Sequence, residues 1–522
     1  MKQCRVLICS FFLASITVWA APPAQPVPKR PKLVLGIVID QFRYDYLTRF
    51  RKDYTGGFVR LLENGAVFTN AHQAHVPTVT AVGHSTFLTG ATPALSGIVA
   101  NDWYDRETGK TVTSVSDDTT ELLGAPGKGS SPRRLLVSTL GDELKISGKG
   151  GKVIGISIKD RSAILPSGHM ADGAYWFDAG TGDFVSSTYY FAQLPEWAAE
   201  FNKSRRADAY SGVSWKSIIP PAIVFRTMGT AQNAKFYGSL ESSPYGNELI
   251  EQFAERAIAA EGLGRHDGID LLTVSFSAND YVGHALGPDS PEVRDMSVRT
   301  DRLLGKLFAY LDARLGPGNV LMVLTADHGV APIPEVNEKR KMPGGRINAR
   351  SIVKAAEDAL DQKYGAGHWI LSTSEAGMYL NHQLIAEKKL QLEDVQETAA
   401  RAIRRIPHIF RVYTAEQLFQ GEVQADTVGT RTERGYNAGR SGDLIVIQDP
   451  YWLIGGNSGT SHSTPFDYDS HVPLVFCGAG VKPGRYYATA AVNDVAPTLA
   501  TMLDVEIPSG SVGRVLSEIL GH

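Results

Sequence analysis

Cysteine is scarce in this 522-residue chain, which holds only Cys4, Cys9 and Cys477. Cys4 and Cys9 fall in an N-terminal segment that reads as removable, so the mature chain is left with one thiol and no intramolecular disulfide. Stability must then come from an apolar core, which a 43% hydrophobic content permits, and from any bound metal. Positive charge is not in excess either: 52 basic against 55 acidic residues give −3, and losing Lys2 and Arg5 makes the balance 50 − 55 = −5. That balance argues against a nucleic-acid-binding protein and leaves small anionic substrates open, because local metal charge outweighs a mild net charge. Internal repeats and low-complexity tracts are missing, and no apolar run makes a comfortable membrane span.

The run that comes nearest, residues 6–19, follows Lys2 and Arg5 and ends in Val18-Trp19-Ala20, the pattern of a signal peptide over 1–20. An uncleaved anchor is the alternative. Pro22, Pro23, Pro26 and Pro28 make 21–31 an extended linker. The expected location is therefore periplasmic or secreted, with no stable membrane span in the mature chain; the oligomeric state is not legible.

Short apolar runs at 32–39, 152–158, 270–276, 320–325, 443–447 and 473–476 are rich in Val, Ile and Leu without alternation, as in strands covered on both faces. Helical stretches at 248–260 and 291–315 supply crossovers. The predicted architecture is α/β, a mainly parallel sheet flanked by helices, forming one catalytic domain over 32–522. Two intervals break the alternation, about 167–246 and 330–442, and read as inserted caps.

Ionisable residues cluster at the carboxyl ends of these strands, where open α/β sheets bind ligands. Asp40 ends the first run, Asp327-His328-Gly329 ends 320–325, and Asp280 follows 270–276. Asp280 and His284 are spaced i, i+4 and share one side of a helical turn. Alone, that pair more often marks a solvated helix face. Together with Asp40, Asp327, His328 and the His462 loop, it makes three carboxylates and three imidazoles, a ligand set for two divalent ions. His471 competes with His462 for the sixth place; the Gly/Ser-rich loop around His462 favours the latter.

Residues 81–89 can form a short helix closed by Gly90, which sets Thr80 at an amino end that favours phosphate. Thr78 reads as a backbone-bonding loop residue. Lys159 and Arg161, two apart at a strand end, would project to one face and reward the extra charge of a phosphate monoester over a diester.

The segments Ile37-Val-Ile-Asp-Gln-Phe-Arg43, Pro77-Thr-Val-Thr-Ala-Val-Gly-His84, Gly97-Ile-Val-Ala-Asn-Asp-Trp103, Gly155-Ile-Ser-Ile-Lys-Asp-Arg161, Asn279-Asp-Tyr-Val-Gly-His284, Thr325-Ala-Asp-His-Gly329 and Gly459-Thr-Ser-His462 carry a resemblance spread over nearly the whole mature chain. In these the sequence resembles the alkaline phosphatase superfamily, above all the phosphate-irrepressible (PafA-like) alkaline phosphatases, with nucleotide pyrophosphatase/phosphodiesterases as cousins. The resemblance implies hydrolysis of small-molecule phosphate monoesters with release of phosphate. Thr80 would be the nucleophile, forming a phosphothreonine; Asn101, twenty-one residues on, and the Lys159/Arg161 pair would bind phosphate. One zinc ion would sit on Asp280, His284 and His462, and a second on Asp40, Asp327 and His328, with Thr80 also contacting metal. Mixed Asp/His sites also accept manganese or cobalt. Sulfatase chemistry is disfavoured by the missing Cys-x-Pro-x-Arg segment. A phosphodiesterase with the same metals, or an exported phosphate- or metal-binding protein without catalysis, are the alternatives.

Overall fold

The computed structural model describes residues 30–231, 233 and 235–521. The expected signal peptide and linker residues 21–29 lie outside the described residues. Within them the chain runs through β1 (Leu33–Ile39), β2 (Gly65–Phe68), α1 (Thr80–Thr89), β3 (Gly150–Ser157), α2 (Asp160–Ile164), β4 (Gly173–Asp178), β5 (Asp183–Ser187), α3 (Pro244–Ala260), β6 (Ile269–Phe276), α4 (Ala278–Leu286), α5 (Pro291–Leu315) and β7 (Val320–Thr325). The strands β7-β1-β6-β3-β4 lie side by side and parallel at the centre of an 11-stranded sheet. Every residue of β1, β6 and β7 is buried, which is why these runs show no polar alternation.

Beyond β7 the chain leaves the sheet. It builds α6 (Ala349–Tyr364), β8 (Ile370–Ser374), β9 (Gly377–Leu380), α7 (Leu392–Ile403), β10 (Ile409–Thr414), α8 (Thr427–Gly435) and β11 (Leu444–Gln448), then returns as β12 (Leu474–Gly478). The last lies antiparallel to β7 and to β2, so the sheet is parallel only in its middle. The run at 443–447 is not a strand of the main sheet: as β11 it belongs to the separate antiparallel sheet β8-β9-β11-β10. Apolarity shows that a strand is covered, not which strand it pairs with. This smaller sheet and its helices α6 and α7 enclose their own apolar cluster, including Ile352, Trp369, Leu380, Val395 and Leu444. The interval expected to begin an insertion at 167 instead opens with β4 and β5, which extend the main sheet, β4 parallel to β3 and β5 antiparallel to β4.

The parallel register places the ends of three strands together. Ile39 faces Phe276, Val38 faces Thr325, and the Asp40 N–H donates to the Phe276 carbonyl at 3.2 Å. Helix α1, buried along its whole length, passes over this corner. Its close approach depends on Gly83, where a Cβ would stand 2.3 Å from the Asp327 carbonyl oxygen and 2.6 Å from the Asp327 Cα. Gly90, at φ 66, closes the helix as expected, its N–H donating to the Thr86 carbonyl at 3.0 Å. Gly83→Ala should therefore cost about 1–3 kcal/mol of stability by overpacking against rigid backbone. Gly229→Ala, whose Cβ meets nothing within 4 Å, serves as the neutral control in the same urea titration.

Candidate active site

Asp40 follows β1, Asp327 and His328 follow β7, and Asp280 with His284 lie on α4, which begins just after β6. His462 arrives from the loop between β11 and β12. The i, i+4 spacing on α4 brings His284 Nε2 to 3.1 Å from Asp280 Oδ1. Asp40, Asp280, Asp327, His328 and His462 are all buried.

Each of the three imidazoles has its Nδ1 against a backbone carbonyl: His284 at 2.8 Å from Thr460, His328 at 2.9 Å from Gly329, and His462 at 2.7 Å from Thr78. A carbonyl only accepts, so each Nδ1 carries a proton and donates it, which turns the Nε2 lone pairs toward the carboxylates. Those lone pairs converge. His462 Nε2 lies 3.2 Å from His284 Nε2, and His328 Nε2 lies 3.5 Å from Asp40 Oδ1 and 3.4 Å from Asp327 Oδ2. Asp40 Oδ1 and Asp327 Oδ2 are buried and accept no hydrogen bond. Facing lone pairs and unpartnered buried carboxylate oxygens are costly unless a cation lies among them, and mixed N/O donors suit a divalent metal. His328 is shared: its ring reaches the Asp40–Asp327 group and also the Asp280–His462 group.

Burial, followed by Asp327, raises the Asp40 carboxyl to about 7 against the pull of Lys159. Asp280 is equally buried, yet Lys159 and His284 hold it well below the ordinary carboxylate range. His284 is pushed up to about 9 because Asp280 outweighs burial, whereas burial takes His328 down to about 4.

Thr80 opens α1 with its Oγ1 3.5 Å from His328 Nε2 and 3.3 Å from Lys159 Nζ. Thr78 donates instead to the Thr464 carbonyl at 3.0 Å. The Asn101 Oδ1 accepts from the Ala81 N–H at 3.0 Å, at the same helix end. His471 is away from this group, its ring stacked on Tyr44 and His72 and its Nε2 3.1 Å from the Thr69 carbonyl.

A profile of the type I phosphodiesterase / nucleotide pyrophosphatase family matches residues 34–472. The chain belongs to that family. It is 36% identical to alkaline phosphatase PafA of Elizabethkingia meningoseptica over 99% of this chain and 98% of the relative. It is 37% identical to alkaline phosphatase PhoV of Synechococcus elongatus, covering 94% and 93%. A Myroides odoratus relative, 36% identical over 98% of each chain, bears the name calcium-transporting ATPase; among the described residues here no helix is long and apolar enough to cross a membrane. The crystal structure of wild-type PafA superposes with a TM-score of 0.89, covering 95% of this chain and 100% of that one. A PafA variant altered at one threonine, one asparagine, one lysine and one arginine superposes with a TM-score of 0.88.

Lys159 and Arg161 do not form the expected strand-face pair of this phosphodiesterase-family site. The strand β3 stops at Ser157; Lys159 precedes α2 and Arg161 is inside its first turn, so the two do not share a strand face. Lys159 is buried, its ammonium 2.7 Å from Asp40 Oδ2 and 2.6 Å from Asp280 Oδ2, and those carboxylates raise its pKa despite burial. Arg161 lines a neighbouring cavity with Asn101, Asp102 and Asp160. Two further residues support the site: Gln41, which the sequence pattern does not single out, and His84, expected from the sequence to pack or to brace the site. Gln41, in a left-handed conformation at φ 59, donates its N–H to Asp327 at 3.1 Å and its amide to Asp280 at 2.6 Å, linking the two groups. His84 has Nδ1 2.8 Å from the Thr80 carbonyl and Nε2 2.9 Å from Ser275 Oγ. Adjacency to Asp40 and the Gly-His pair ending the Thr80 motif were the only signals.

Without a cation, Asp280 favours a second proton on His284, at Nε2, up to about pH 9, and burial favours one on Asp40 up to about pH 7; a cation at either group takes that proton's place. Divalent-metal affinity should therefore rise with pH by about tenfold per unit, up to about pH 7 at the Asp40 group and up to about pH 9 at the His284 group. Metal titrations at several pH values check this; a flat profile would contradict the arrangement.

Proposed function

We propose that the chain is an exported, metal-dependent alkaline phosphatase that hydrolyses small-molecule phosphate monoesters through a phosphothreonine at Thr80. The observation that carries this reading is the position of the Thr80 Oγ1, at the amino end of α1 and between His328 Nε2 and Lys159 Nζ. Its relatives PafA and PhoV, matched over nearly their full lengths, are alkaline phosphatases by name. The threonine and asparagine altered in the PafA variant are separated as Thr80 and Asn101 are, and its lysine and arginine as Lys159 and Arg161 are.

Two zinc ions, with manganese or cobalt as substitutes, would be held by Asp280, His284 and His462 and by Asp40, Asp327 and His328; when bound they supply the positive charge that favours a threonine alkoxide and a departing oxyanion. The rest falls to the protein. Thr80 attacks phosphorus in line, and the ester oxygen departs on the opposite side. The α1 amino end favours the phosphoryl group through its dipole. Asn101, its amide oxygen tied to Ala81, offers its NH₂ to a non-bridging oxygen, and Arg161 offers its guanidinium. Lys159 balances the buried carboxylates and stands within reach of Thr80. His84 fixes the Thr80 backbone through its carbonyl. Water then releases phosphate.

A phosphodiesterase is the second reading, favoured by the ties of Lys159 to Asp40 and Asp280, which leave Arg161 as the freer cation for an additional phosphate charge. Paired nitrophenyl phosphate and bis-nitrophenyl phosphate assays separate the two. Thr80→Ala should lower kcat by at least about 10³-fold, the scale of losing a reacting group, while metal content and thermal unfolding stay near wild type. Near-normal turnover would remove Thr80 as nucleophile. Lys159→Ala combined with Arg161→Ala should reduce monoester kcat/KM by about 10²-fold more than diester kcat/KM. Equal losses would mean that these cations do not discriminate.

A further inference from the structure

The unit inserted between β7 and β12 reaches the site through the turn joining β8 to β9, which carries Glu375 and Ala376. Ala376 is buried in one apolar cluster with Val79, Ala81 and Val82, the neighbours of Thr80 on either side. The strand β8 packs beside the strand Asp102–Asp105, which starts directly after Asn101. These contacts fix the turn over the amino end of α1. Glu375 itself lines a crevice with Val76, Pro77 and Ser463, residues adjoining the Thr80 loop and His462.

The Glu375 side chain is open to solvent but recessed in this cleft. Desolvation and then Asp102 raise its pKa, while Arg161, the Asn101 backbone and His284 oppose the rise. Its companions in the crevice, Pro77 and Ser463, set it beside the loops that carry Thr80 and His462. Asp102 and Asp160 line the adjoining cavity of about 310 Å³ around Arg161. Glu375 in one crevice and Asp102 and Asp160 in the other make the surroundings of the Thr80 loop and Arg161 rich in carboxylate.

We propose that Glu375 sets specificity by the charge of the leaving group, favouring phosphate esters of amino alcohols and disfavouring esters whose alcohol carries a second anion. The proposal rests on the phosphatase reading. A carboxylate at the mouth attracts an ammonium and repels a carboxylate or further phosphate, while the phosphoryl group, common to all substrates, is held deeper.

The test compares O-phosphoethanolamine with 2-phosphoglycolate, whose leaving groups are of similar size and opposite charge, at low and high salt. Wild type should prefer the former. Glu375→Gln should lower the ratio of the two kcat/KM values by about fivefold, the scale of one partly screened charge pair, and Glu375→Lys should lower it further. The difference should shrink at high salt. Metal content and unfolding temperature establish that the variants are folded. A ratio unmoved by both substitutions, or equal losses on both substrates, overturns the specificity role and leaves the phosphatase reading standing. Absence of turnover on nitrophenyl phosphate in the metal-loaded wild type overturns that reading, and this one with it.

Discussion

Three carboxylates and three imidazole lone pairs, brought together in a buried corner, set the terms for the rest of this structure. Asp40, Asp280 and Asp327 repel one another when ionised, and burial removes the water that would screen them. One lysine, Lys159, offsets part of that charge from between Asp40 and Asp280. The unpartnered oxygens of Asp40 and Asp327 and the opposed Nε2 atoms of His284 and His462 remain, and divalent cations answer both.

Holding such an arrangement open requires rigid support on every side. The three strands that deliver the carboxylates are the central, fully buried ones, where backbone pairing on both sides leaves little freedom. The imidazoles are oriented by carbonyls of Thr78, Gly329 and Thr460, so the loops around Thr80 and His462 brace each other. Gln41 and His84 complete the frame, and Gly83 lets α1 lie against the Asp327 backbone closely enough for Thr80 to meet His328.

The division of labour follows the topology. The parallel sheet and α1 supply the groups that act on a phosphoryl unit, which is the same in every substrate. The inserted antiparallel unit, with its separate apolar cluster, reaches the site only at its edge and places Glu375 where substrates differ. A peripheral turn can change without disturbing the buried carboxylates, so selectivity can vary while the chemistry stays fixed.

The parallel core and the gathering of carboxylates and imidazoles at one corner were legible in the amino-acid sequence. Continuous apolar runs mean strands covered on both faces, and ionisable residues directly after such runs must gather at one edge, as Asp40, Asp280 and Asp327 do. The i, i+4 spacing of Asp280 and His284 and the helix ending at Gly90 were legible for the same reason, since both are local. Tertiary structure alone decided the matters that depend on distant partners. The strand β11 joined another sheet because apolarity does not name a neighbour. Lys159 and Arg161 do not share a strand face because β3 ends two residues before Lys159 and a helix begins. Gln41 became a bridge through a left-handed turn, and Glu375, nearly three hundred residues from Thr80 in sequence, reached the mouth of the site through packing at its neighbour Ala376. Local pattern reports what a residue can be; only the folded chain decides what it meets.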